Sequence, residues 1–168
     1  MMSLALLSRP KVPLLLAIVL LASGAIIGAW IFQAFGVVPC ELCLKERWPY
    51  YAGIPLGLAA LFFAVRGADR SCRSLCSVLA IIFVVSALFG LYHAGVEWGF
   101  WKGPTDCTGP LQRGGSINDF WQQLQSVKVV RCDEAALRIL GLSLAGWNAV
   151  ISVLLAGLAF KAAAPSRS

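Results

Sequence analysis

Four stretches of the chain, 12–32, 48–65, 75–92 and 139–160, each run for eighteen or more residues without an Asp, Glu, Lys or Arg. As helices rising ~1.5 Å per residue, even the shortest reaches ~27 Å, close to the ~30 Å of a bilayer's hydrocarbon core. A span in lipid must satisfy its own backbone, so it is a helix or part of a closed barrel. Apolarity here is continuous and does not alternate, which selects helices over barrel strands. The pattern predicts an all-α membrane protein: a four-helix transmembrane bundle with polar connections at about 33–47 and 93–138. The polar part is too short for a separate soluble domain, so residues 1–168 are expected to form one integral membrane domain. The first apolar run follows Arg9 and Lys11, as a secretory signal would. It is longer than the ~7–15 residues of a signal's apolar region and a second apolar hairpin follows, so it is read as the first span.

Composition agrees: the chain is 59% hydrophobic, with a mean hydropathy of +0.79. Charge then orients the bundle. The side holding both termini and the 66–74 turn carries Arg9, Lys11, Arg66, Arg70, Arg73, Lys161 and Arg167 against a lone acid, Asp69. The other side balances its bases with acids, so the net +6 lies wholly with the termini. Basic residues are also denser there, so that face is expected to be cytoplasmic. The high pI then reflects lipid topology and needs no nucleic-acid partner. This orientation sorts the cysteines. Cys40, Cys43, Cys107 and Cys132 fall on the non-cytoplasmic face, where disulfides persist, and Cys72 and Cys76 fall in the cytoplasmic hairpin, where thiols stay reduced.

Gly24 with Gly28, and Gly53 with Gly57, place small residues four apart on the first two spans, a spacing that lets helices approach closely. Pro55 is expected to kink the second. Trp98, Phe100 and Trp101 open the long outer connection as an interfacial aromatic belt. Further on, Ile117, Phe120, Trp121 and Leu124 recur at helical spacing behind Ser116 and Asp119, which predicts a short amphipathic helix over 116–127 lying on the outer leaflet.

The candidate chemistry lies in Cys40-Glu-Leu-Cys43, where the chain leaves the membrane and turns back. The pair precedes the second span, and a helix N-terminus favours a thiolate. Arg47 adds positive charge, while Glu41 and Glu46 oppose it. A zinc site would want two close cysteine pairs, whereas Cys107 and Cys132 are far apart, so no metal is expected. A c-type haem would need His where Leu44 stands. A structural staple is a real alternative for the outer segment, since closing the loop between Cys107 and Cys132 would stabilise by ~3.5 kcal/mol. It suits Cys40 and Cys43 poorly, because so short a loop has little entropy to lose. Thiol–disulfide exchange remains, and it needs an electron sink. No dinucleotide fingerprint is present, which leaves a carrier dissolved in the bilayer, a quinone, whose oxygen Arg47 could hydrogen-bond.

Pro39-Cys40-Glu-Leu-Cys43-Leu-Lys-Glu46-Arg47, Leu91-Tyr92-His93-Ala-Gly-Val-Glu97-Trp98, the cysteines flanking the amphipathic segment, and Gly141-Leu-Ser-Leu-Ala-Gly-Trp147 together resemble the bacterial disulfide-bond formation protein B family (DsbB) over nearly the whole chain. The resemblance implies an inner-membrane thiol oxidase. Cys107–Cys132 would take electrons from a DsbA-like periplasmic thioredoxin-fold oxidase, and Cys40–Cys43 would be reoxidised by ubiquinone or menaquinone. Arg47 matches the family arginine near the quinone ring, and His93 matches a histidine position. Cys72 and Cys76 stand outside the family pattern and are expected to be inert. The alternative from another class is a tetraspan structural or binding protein with a disulfide-stapled outer loop.

Overall fold

The computed structural model describes residues 11–104 and 132–165. The expected amphipathic helix over 116–127, and Cys107, lie outside the described residues. Helices α1 (Lys11–Ala34), α2 (Glu41–Lys45), α3 (Trp48–Arg66), α4 (Asp69–Glu97) and α5 (Leu144–Ala163) are joined by a two-stranded hairpin, β1 (Arg138–Ile139) with β2 (Leu142–Ser143). Four of the helical segments are long and apolar enough to cross a membrane. Each long helix packs on two others in a closed ring, α1 on α3, α3 on α4, α4 on α5 and α5 on α1.

What faces inward follows helical spacing. Leu15, Ile18, Ala22 and Ile26 are buried on α1, while Leu20, Ile27, Trp30 and Ile31 of the same helix are exposed. A helix apolar on both sides with only one side covered is a helix that meets lipid. On α3 the inward face is small: Gly53, Gly57, Ala60 and Ala64. A Cβ at Gly53 would lie 2.7 Å from the Phe83 ring, and one at Gly57 3.0 Å from Val19. This glycine pair therefore sets close helix packing. Gly24 and Gly28 behave otherwise. Among the described residues, no atom beyond their own stretch of helix lies within 4 Å of where their Cβ would stand, and both line a cavity. Their missing side chains make space.

Buried polar groups tie the ring together. The Tyr50 hydroxyl donates to Asn148 Oδ1 at 2.6 Å and lies 3.1 Å from Ser152 Oγ, which is 2.9 Å from Ser86 Oγ. Tyr50 is on α3, Ser86 on α4, and the other two on α5. In lipid such interhelical hydrogen bonds add to van der Waals packing.

Two helices depart most from their expected bounds. Helix α4 exceeds span 75–92 at both ends, because its polar ends, Asp69 to Arg73 and His93 to Glu97, continue the same helix beyond the apolar stretch. Helix α5 starts at Leu144 and not at residue 139. Leu140 and Gly141 both take positive φ (53° and 82°) and close the two-residue turn of the hairpin. Ser143 then caps α5, its hydroxyl accepting from the Gly146 amide at 3.2 Å.

Contacts also sort the ends of the bundle. Lys11 meets Asp69 at 3.2 Å, and Arg73 Nε donates to the Ala163 carbonyl at 3.1 Å. The start of α1, the α3–α4 turn and the finish of α5 thus share one end, with Cys72 and Cys76 buried near it. Cys40, Cys43, His93 and Cys132 gather at the other.

Candidate functional site

Between α1 and α3 the chain turns through Pro39 into the five-residue helix α2. Cys40 caps it: the Cys43 amide donates to Cys40 Sγ at 3.1 Å. A break at Glu46 and Arg47 separates α2 from α3, so Arg47 caps α3 and does not continue one helix from Cys43. Arg47 Nη1 donates to Gln33 Oε1 of α1 at 2.9 Å.

The last turns of α4 supply the other half. His93 is 1% exposed, with Nε2 at 3.5 Å from Cys40 Sγ and Nδ1 at 2.9 Å from Glu46 Oε1. Cysteine, imidazole and carboxylate therefore stand in line, the arrangement in which a carboxylate fixes the tautomer and the ring handles a thiol proton. Glu97, one turn beyond His93, brings Oε1 to 4.0 Å from Nε2. The Cys40 thiol is drawn down to about 5. Hydrogen bonding from Cys43 is the largest cause; burial opposes it, and the His93 hydrogen bond adds to the lowering. Helix position and a neighbouring cation were the sequence's reasons for a thiolate; the structure adds the imidazole.

Cys40, Leu42 and Cys132 form a small buried cluster with Cys43 and Phe89 packed against it. Cys132 is disulfide-bonded, whereas Cys40, Cys43, Cys72 and Cys76 are free. The bonding partner of Cys132 lies outside the described residues. Cys40 does not line the apolar cavity beside it, but Cys43 does, together with Glu46, Arg47, Tyr50 and Asn148. That cavity, of about 370 Å³, lies between α1, α3 and α5, with Gly24, Gly28, Phe32 and Ile151 among its walls. A few polar groups at one end of an apolar cavity form the usual design of a small-molecule site.

Over residues 11–162 the chain matches the family described as Disulfide bond formation protein DsbB. The chain belongs to the DsbB family. It is also 30% identical over 136 residues to the uncharacterized protein RP370 of Rickettsia prowazekii (strain Madrid E), covering 79% of this chain and 74% of that protein. No solved structure matches it. The family and the four apolar helices make this a multi-pass membrane protein of disulfide-bond formation.

Among the described residues, the structure brings together Cys40, Cys43, Arg47, His93 and Cys132; Cys107 lies outside them. Sequence reasoning missed Glu46 and Glu97 as members of this DsbB-family site. It counted Glu46 only as a charge opposing the thiolate, whereas the carboxylate is buried on His93. The available signal was their cost: acids beside an apolar span are expensive and tend to be functional. Also unforeseen was a thiophilic cluster, since Cys40 Sγ, Cys43 Sγ and a His93 nitrogen lie within 4.8 Å of one another.

Proposed function

We propose that the protein oxidises a DsbA-like periplasmic dithiol protein and passes the electrons through its two cysteine pairs to a membrane quinone. The observation that carries this reading is that Cys43 borders an apolar cavity while its neighbour Cys40 packs against a disulfide-bonded cysteine. One pair thereby faces both an exchange partner and a lipid-accessible space. A relay from DsbA through DsbB to quinone keeps the bacterial periplasm oxidising. On this reading the cysteine end of the bundle faces the periplasm, the termini face the cytoplasm, and the membrane is the inner one.

In the first step the client's dithiol reduces the Cys107–Cys132 disulfide and leaves as a disulfide. In the second, the dithiol so formed exchanges with Cys40–Cys43 and returns to a disulfide, leaving Cys40 and Cys43 as thiols. Cys40 is the member placed to exchange with Cys132, and Cys43 the member placed at the cavity. Reoxidation of Cys40 and Cys43 releases two electrons and two protons, which a quinone, ubiquinone or menaquinone, accepts. His93 takes the Cys40 proton at Nε2 while Glu46 holds Nδ1. Arg47 orients the acceptor's oxygen from the cavity mouth and stabilises negative charge there. The residues fit such a ring: the cavity is apolar, shaped by two absent side chains at Gly24 and Gly28, and polar only at the Cys43 end.

The test is an anaerobic assay of the purified protein with a reduced DsbA-like substrate and added ubiquinone or menaquinone. Quinol should form one-to-one with client disulfide, and Cys43→Ser should abolish it. Quinol formation persisting in Cys43→Ser would sink the scheme. The stapled tetraspan alternative predicts no quinone reduction by any variant, and no observation favours it.

A further inference from the structure

Glu97 poses a problem that electron transfer does not solve. Its side chain is 5% exposed, it is the last residue of a helix long enough to cross a membrane, and its Oε2 has no hydrogen-bond partner among the described residues. A buried, half-satisfied carboxylate is costly unless it meets a donor or a cation. Its Oε1 lies 4.0 Å from Nε2 of His93, and His93 is already clustered with Cys40 and Cys43, a borderline and two soft ligands.

We propose that the reduced form of this site binds one thiophilic divalent cation of the zinc class, held by Cys40 Sγ, Cys43 Sγ, His93 Nε2 and the Glu97 carboxylate. Tetrahedral zinc, with bonds of ~2.3 Å to sulfur and ~2.0 Å to nitrogen, separates those two ligand atoms by ~3.6 Å. The Cys40 Sγ to His93 Nε2 distance is 3.5 Å. The histidine is also turned the right way, because its other nitrogen is on Glu46. A carboxylate behind a ligating imidazole fixes the ring and raises its basicity. Glu97 is the ligand that moves in, from an Oε1 position 4.0 Å from Nε2. Cys43 gives up its thiol proton and the proton shared between Cys40 Sγ and His93 Nε2 leaves as the ion enters, so two protons leave for each cation bound and no electron moves.

Binding requires the dithiol and is closed to the Cys40–Cys43 disulfide. The metal thus competes with reoxidation and holds the site reduced. That inhibitory consequence rests on the oxidase reading above; the binding itself does not.

The experiment titrates the full-length protein in detergent with Cd2+, following thiolate-to-cadmium charge-transfer absorption, then displaces it with Zn2+. The reduced protein should take one equivalent and the oxidised protein none. Affinity should fall at least about tenfold in Glu97→Gln and in Glu46→Gln, and further in His93→Ala. Should His93→Ala fail to fold, X-ray absorption of the zinc-loaded reduced wild type decides the matter. Two sulfurs with imidazole nitrogen support the site, and coordination by sulfur alone overturns it. Equal affinity in Glu97→Gln and wild type would remove Glu97 from the ligand set and overturn the proposal as stated. In the same preparation, quinone reduction without metal, slowed by micromolar Zn2+ and restored by a chelator, tests the inhibition. Metal binding without any quinone reduction would condemn the oxidase reading and leave the metal site standing.

Discussion

Cys40 receives hydrogen bonds at sulfur from Cys43 and His93 while buried among apolar side chains, and the first influence exceeds the desolvation that opposes it. The sign of the pH dependence follows. A thiol lowered to about 5 is a thiolate above that pH and loses reactivity as pH falls through it, whereas an ordinary thiol does so near ~8.5. In the reduced protein, alkylation of Cys40 followed by peptide mass mapping should have its midpoint near pH 5. In His93→Ala the midpoint should rise toward the ordinary range. A wild-type midpoint near the ordinary value would show that the imidazole and Cys43 contacts do not support the charge. At the catalytic level His93→Ala should slow quinol formation by about 10²-fold. Glu46→Gln keeps the shape but loses the fixed tautomer, and should cost about tenfold with client affinity unchanged. The cysteine spacing and Arg47 could be read directly, because each lies in one short segment. The histidine's two partners could not: Glu46 is 47 positions from His93 and Cys40 is 53, and only folding brings them together. His93 entered the sequence reading through resemblance alone.

At the level of the helices, two similar glycine pairs do opposite things. Both carry the same spacing, so hydrophobic patterning assigned both to close packing. What separates them is which neighbour stands opposite: Phe83 and Val19 face Gly53 and Gly57, while open space faces Gly24 and Gly28. Substitution distinguishes them. Gly53→Ala forces its Cβ against the Phe83 ring and should destabilise by about 1–3 kcal/mol, read as a lower midpoint of thermal unfolding in detergent. Gly28→Leu strains nothing and should leave that midpoint in place, but it fills the cavity and should raise KM for quinone severalfold. An unchanged KM in a folded Gly28→Leu protein would separate the cavity from the quinone. Span count and approximate bounds were legible because ~20 apolar residues have only one way to cross lipid. The start of α5 was not, since Ile139 to Ser143 is as apolar as the helix that follows and only the positive φ of Leu140 and Gly141 breaks it.

For the molecule as a whole, the division of the five described cysteines between two ends follows from the ring of helices, but which end faces which compartment rests on charge. The end with Lys11, Arg66, Arg70, Arg73 and Lys161 sets its basic residues against a lone acid, Asp69, and lysine and arginine close to a span resist export. Were the bundle inverted, Cys40 and Cys43 would face a reducing cytoplasm that keeps thiols apart, and oxidation of exported clients would have no route. Cysteines placed at exposed positions decide it without touching the site. Phe100→Cys, an exposed position within the aromatic belt, should react with a membrane-impermeant maleimide in intact spheroplasts. Ser71→Cys, exposed in the first turn of α4 at the opposite end, should react only after the membrane is opened. Native Cys72 and Cys76, fully buried, should stay silent in both conditions, and the parent protein sets the baseline for the free Cys40 and Cys43. The reverse pattern would place the dithiol in the cytoplasm, and the same charge distribution that predicts the orientation would then need another cause.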